Sequence, residues 1–201
     1  MPSLALSSSA KWPAAGRRRP WAWLRSLVLG CLMGFALAIP TSAGEPALTS
    51  LKIARSDEGL LLDYVLDFEL PKGAEDALNK AVPLYFVAEA EVFRDRWYWR
   101  DKRVASASRL WRIVFQPLTL SYRVTFGGLS QTYATRDEAL AAMRRGVNWR
   151  IAEPGQIEDG GRHYVEFSFR LDTSLLPRPM QIGIGGQPDW ALAVERSQRF
   201  D

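Results

Sequence analysis

Leu60-Leu61-Leu62-Asp63-Tyr64-Val65-Leu66-Asp67-Phe68-Glu69-Leu70 alternates with period two. Leu62, Tyr64, Leu66, Phe68 and Leu70 share one face, and Asp63, Asp67 and Glu69 share the other, with Val65 among them. Successive side chains of an extended chain point to opposite sides, so one apolar and one polar face mark a half-buried antiparallel strand. Upstream, Leu48 to Ala54 alternates too, with Leu51 and Ile53 set against Ser50 and Lys52. Asp57-Glu58-Gly59 stands between the two runs and predicts a hairpin turn.

The same pattern recurs outward. Leu84 to Phe93 sets Phe86, Ala88, Ala90 and Val92 against Tyr85, Val87 and Glu89, and Tyr164 to Leu171 sets Val165, Phe167, Phe169 and Leu171 against Tyr164, Glu166, Ser168 and Arg170. Val104 to Gln116 and Ser121 to Phe126 read as strands joined by Pro117-Leu118-Thr119-Leu120, and Leu129 to Ala134 follows the Gly127-Gly128 turn. Trp149 to Ala152, Met180 to Ile184 and Trp190 to Val194 are shorter strand candidates. Two stretches break the pattern. Ala74 to Val82 has helical spacing and is stopped by Pro83; Thr135 to Arg145 carries a capping box, Thr135 with Glu138, and Gly146 is placed to end it. Eight or nine short strands with two helical insertions predict a mainly β chain: an antiparallel β-sandwich, immunoglobulin-like, with one or two short helices inserted. An open sheet with a helix on one face is the alternative.

Residues 1–43 differ in kind. They hold five Lys/Arg (Lys11, Arg17, Arg18, Arg19, Arg25) and no acid, followed by the apolar run Leu27 to Ile39, Pro40, and the small residues Thr41-Ser42-Ala43. This order predicts a signal peptide. The apolar run is shorter than the ~20 residues of a spanning helix, though a retained N-terminal anchor is the alternative. Residues 44–201 then form a single sandwich domain, periplasmic or held at the inner membrane and facing the periplasm. Cys31, the sole cysteine, lies inside the leader, so the remaining chain has no thiol for a disulfide, a nucleophile or a metal.

Charge follows the leader. The chain has 26 Lys/Arg and 22 Asp/Glu; without residues 1–43 the balance is 21 against 22. A domain without excess positive charge does not predict a nucleic-acid partner. Basic residues do gather between Arg94 and Arg112, interrupted by Asp95 and Asp101, and read as the solvated face of strands.

Arg96-Trp97-Tyr98-Trp99-Arg100 is the candidate contact site. Placed on a strand, Trp97 and Trp99 share a face and the rings fill one end of the core. If exposed, they and the flanking arginines would stack on a sugar, a peptide or a membrane interface. Trp111, Trp149 and Trp190 read as core. His163, the sole histidine, follows Gly160-Gly161-Arg162 and is expected at the surface, with nothing to make it a triad base. One histidine and no available cysteine predict no zinc site, and no cofactor motif is present. Asp63, Asp67, Glu69, Glu89 and Glu91 read as solvated faces. Ser106 and Ser108, alternating with Ala105 and Ala107, suggest close sheet packing.

Four stretches carry a family resemblance: Leu78 to Phe86; Arg96-Trp97-Tyr98-Trp99 with Val104 to Arg109; Ser121 to Val124 with Gly127-Gly128-Leu129; and Leu171 to Pro177. Together they resemble an exported proteobacterial family catalogued as domain of unknown function 4390, over nearly all of residues 48–200. The resemblance implies export and a setting near nitrogen-type two-component regulators; it implies no activity. The expectation is a non-enzymatic binding or accessory module whose partner is a protein, a peptide or a cell-wall component of the envelope, with membrane association through an uncleaved leader. The alternatives are a carboxylate-dependent hydrolase acting on a cell-wall component and a membrane-tethered accessory to a sensor kinase.

Overall fold

A computed structural model describes residues 45–98, 100–158, 160–184 and 187–200. Residues 1–43, where a signal peptide is expected, and Trp99 lie outside the described residues. Nine strands form two antiparallel sheets. The smaller contains β1 (Ala47–Ser56), β2 (Gly59–Asp67) and β7 (Arg145–Ala152), in the order β1-β2-β7. The larger contains β3 (Leu84–Arg94), β4 (Lys102–Gln116), β5 (Ser121–Phe126), β6 (Leu129–Tyr133), β8 (His163–Leu171) and β9 (Ala193–Phe200), in the order β6-β5-β4-β3-β8-β9. Three helices interrupt them: α1 (Lys72–Asn79), α2 (Arg136–Arg144) and the single turn α3 (Arg178–Gln181).

The architecture is sandwich-like. Leu60, Leu62, Tyr64, Leu66 and Phe68 are buried on one side of the small sheet, and Phe86, Ala88, Ala90, Val92, Val165, Phe167 and Phe169 face them from the large one. Aromatic rings fasten the layers: Tyr64 lies 5.0 Å from Phe167, and Phe68 lies 5.2 Å from Phe169 and 5.9 Å from Phe86. The division into three and six strands differs from the four-and-three arrangement of an immunoglobulin constant domain.

Contacts fix the poles. Arg94, His163 and Phe200 lie side by side at one end of the large sheet, and Arg55, near the end of β1, sits over the Phe200 ring at 5.7 Å. Ala47, where β1 begins, pairs with Asp67 at the opposite pole, next to Phe68.

Local chemistry explains the joints. Asp57 and Glu58 turn the chain between Ser56 and Gly59, which adopts φ +111°. α2 carries the expected capping box: the Glu138 N–H donates to Thr135 Oγ1, and the Thr135 N–H donates to Glu138 Oε2, both at 3.3 Å.

Five expectations need correction. Gly146 does not end α2; the chain passes into β7 at Arg145, and Gly146 lies against the Tyr64 ring. β7 thus starts earlier than Trp149, and a bulge at Val147–Asn148 hides its period: Asn148 takes φ +50°, and Asp63 Oδ1 accepts its N–H at 2.7 Å. Asp63 therefore serves the backbone and is not simply solvated. Met180 to Ile184 and Trp190 to Val194 do not form the closing strands. Pro177 and Pro179 instead open α3, Pro188 opens a short 3-10 turn, and β9 closes the sheet from Ala193. No helix among the described residues is long and apolar enough to cross a membrane.

Candidate functional site

Two surface features involve β4, one at its start and one at its middle. The first is the β3–β4 hairpin tip. Residues 95–98, 100 and 101 lie outside any strand, so Trp97 is not held in a sheet. Trp97 is 87% exposed and Tyr98 is 70% exposed, with ring centroids 5.0 Å apart in an edge-to-face arrangement. The core-filling expectation fails for these two rings because the strands end before them: Arg94 pairs with Lys102, and the aromatic run falls in the connection. Arg96 is half-buried and Arg100 is exposed.

Neighbours buttress this loop. Asp101 Oδ1 accepts the Arg96 N–H at 3.0 Å, and its Oδ2 accepts the Tyr164 hydroxyl at 2.8 Å. The Asp95 N–H donates to the Arg162 carbonyl at 2.9 Å, and Arg94 pairs with Glu158. The Arg96 N–H, then the Tyr164 hydroxyl, hold the Asp101 carboxyl below its ordinary range. Desolvation, then the bond to Asp101, push Tyr164 up to about 12. Tyr164 also stacks on Phe93 at 5.3 Å.

The second feature centres on Arg109. Its backbone faces Ala88, which puts it on the inward side of β4 with Ala105, Ala107, Trp111 and Ile113. It is therefore half-buried and not one of a row of solvated bases, which corrects the expectation for the Arg94–Arg112 cluster. Its guanidinium lies 4.8 Å from the Trp149 ring centroid and 5.5 Å from that of Phe126. Beside it an open groove of about 610 Å³ runs past Ser108, Leu110, Phe126, Gly127 and Trp149. Beneath lies the Tyr64 hydroxyl, fully buried and without a partner at hydrogen-bonding geometry. Burial pushes Tyr64 up to about 12, outweighing the downward pull of the nearby Arg109 charge. Burial likewise pulls Arg109 below its ordinary value.

Tyr64 makes stability pH-dependent at the alkaline end. Its folded value, about 12, exceeds the ordinary 10.0. The contribution is full below pH 10 and disappears as pH rises from 10 to 12; it is on the order of 2–3 kcal/mol. Tyr164 shifts the same way and adds to the fall. Denaturant titrations across this window should show stability dropping, and Tyr64→Phe should flatten the drop; an unchanged slope in that variant would remove Tyr64 as its source.

His163 is buried at 2% exposure, contrary to expectation. The alternation His163, Val165, Phe167, Phe169 places it on the inward face. Its Nδ1 lies 2.9 Å from the Gly161 carbonyl, to which a proton on Nδ1 is donated; Nε2 is buried without a partner, and the ring lies 6.0 Å from Phe200. Ser106 and Ser108 are exposed on the outer face, so the small residues of β4 do not reflect close packing there. Trp111 and Trp149 are core, and Trp190 is half-buried against it.

The carboxylates lie at the surface. Asp67 and Glu69 are exposed near Arg136 and Arg144. Glu89 takes a two-pronged contact from Arg170, at 2.6 and 3.1 Å, and the Arg170 bond holds its carboxyl below the ordinary value. Glu91 pairs with Arg103. Among the described residues no carboxylate is buried, and no cluster of His, Cys, Asp and Glu could hold a metal ion.

Fold and surface together define a two-sheet antiparallel β protein with a buttressed aromatic hairpin tip. The family described as "Domain of unknown function (DUF4390)" matches residues 43–200, and the chain belongs to it. No curated protein and no solved structure matches.

Proposed function

We propose that this chain is an exported envelope protein that works by binding, without catalysis, and that the β3–β4 tip is a contact surface for a protein, peptide or cell-wall component. One observation carries this: Trp97 and Tyr98 stand 87% and 70% exposed on a loop that Asp101, Tyr164 and Arg162 hold in place. A soluble domain gains no stability from leaving two large rings in water. Trp, Tyr and Arg are the residues that dominate binding hot spots, and a pre-ordered loop loses less entropy on binding. The leader supplies the location: retained, it tethers the domain to the inner membrane; cleaved, it leaves the domain in the periplasm.

The test is a photo-crosslinker at Arg100 in intact envelopes. Adducts should form and should vanish in the Trp97→Ala/Tyr98→Ala double variant. That variant should keep the fold, with each exposed substitution changing stability by no more than about 0.5 kcal/mol. Adducts that persist unchanged in the double variant would discard the tip as a contact surface. A sensor kinase among the tip-dependent adducts would select the accessory role.

A further inference from the structure

β4 is longer than the strand beside it. On one side it pairs with β3 from Lys102 to Ile113; on the other it pairs with β5 only from Trp111 to Gln116. Among the described residues no strand covers the second side of Lys102–Leu110. The Gly127-Gly128 turn ends β5 there, and the Arg109 groove opens at the step. Exposed sheet edges are ordinarily blunted, because their free N–H and C=O groups recruit other strands. Beyond the bulge at Val104 this one is edged by Ala105, Ser106, Ala107 and Ser108, which offer little bulk to keep a strand away.

Charge selects the occupant. Along the open stretch Lys102, Arg103 and Arg109 are basic, and the sequence contains no Asp or Glu from Lys102 through Arg136. Arg109 lies over the Trp149 and Phe126 rings, with no carboxylate partner among the described residues. The nearest acids are on β3, where Arg103 takes up Glu91 and Arg170 takes up Glu89, which leaves Lys102 and Arg109 as the bases of this edge without a carboxylate pair among the described residues. The leader has the wrong sign to lie here, with five bases and no acid in residues 1–43. A second copy pairing antiparallel about a two-fold axis at Ser106 would set Arg103 of each copy against Arg109 of the other, two like-charged pairs on one seam.

We propose that an extended acidic segment of another protein adds as a strand along Lys102–Leu110 of β4, with a carboxylate on the inward side meeting Arg109 in the groove against Trp149 and Phe126. The segment takes the line that β5 would follow if it ran on past Gly127. Main-chain hydrogen bonds hold it, and the Arg109 fork selects its charge. The inference deepens the binding-module reading, on which it rests, but it uses a different surface from the tip.

The probe is a fluorescein-labelled peptide of alternating Glu and Val, titrated by anisotropy. It should bind saturably. The matching Lys-Val peptide, and the Glu-Val peptide N-methylated at alternate residues, should each bind about tenfold or more weakly, as should the Arg109→Gln protein. Amides within Lys102–Leu110 of the unaltered protein should gain protection from hydrogen exchange when the Glu-Val peptide is added, a readout that needs no variant to fold. Trp97→Ala/Tyr98→Ala should leave this binding intact, so loss of the edge and loss of the tip are separate results. Failure of the Glu-Val peptide to bind, equal binding of either control peptide, or protection falling on β7 or β9 would overturn the proposal. So would a dimer that protects Lys102–Leu110 by itself.

Discussion

Phe169→Ala should lower the free energy of unfolding by about 3–5 kcal/mol, the range for removing a large buried ring. Phe169 is fully buried. Its ring lies 5.2 Å from Phe68, 5.8 Å from Phe86 and 6.3 Å from Trp111, so it joins both sheets to the centre of the core. Its neighbours cannot readily close the gap. Ala88 and Val194 flank it across the ladder on either side, and each is fixed by its own strand pairing. Single domains are stable by about 5–15 kcal/mol, so the loss is a large fraction of the whole. Urea titration should show a lower midpoint with the same slope, since the surface exposed on unfolding barely changes. A loss under about 1.5 kcal/mol would mean that the core around Phe169 collapses freely, against the rigid packing drawn from it.

Gly146→Ala should cost about 3 kcal/mol, at the upper end for overpacking. A Cβ at this position would lie 2.2 Å from Tyr64 Cε1. Tyr64 stands directly across from Gly146 in the β2–β7 register and cannot retreat, since its ring is held between Trp149 at 6.3 Å and Phe167 at 5.0 Å. Clash and cost therefore belong to one pair. In a Tyr64→Val background the added methyl group should cost less than about 1 kcal/mol, and the coupling in that double-mutant cycle is the measurement that decides. Equal costs in both backgrounds would place the strain in the backbone.

The strands that face a full core were the legible ones. β2, β3 and β8 alternate because one side of each meets the opposite sheet, and apart from Val87 their buried residues are those on the inward side. α2 was legible through Thr135 and Glu138, whose reciprocal bonds are local. β9 was not: Glu195-Arg196-Ser197-Gln198-Arg199 sits at a sheet edge, where both faces see water and no apolar period forms. β7 was obscured by the Asn148 bulge, which shifts the register midway. His163 is hidden by the Gly160-Gly161-Arg162 turn before it, and Arg109 by the basic residues around it, although each continues an inward alternation, His163 at the head of Val165-Phe167-Phe169 and Arg109 between Ala107 and Trp111. The tip was found by composition, but its exposure was not, because exposure there depends on where β3 and β4 stop pairing.

The polarity of β1 decides how the molecule can be handled. With Ala47 and Phe200 at opposite poles, a tag or bead fixed ahead of Ala47 stands off from the aromatic loop by roughly the length of β1, about 30 Å for its 10 residues. Attachment after Phe200 would instead crowd Arg94 and the loop beyond it. Binding measured on immobilised protein should thus depend on whether it is held ahead of Ala47 or after Phe200, and only the first leaves the rings open to a large ligand.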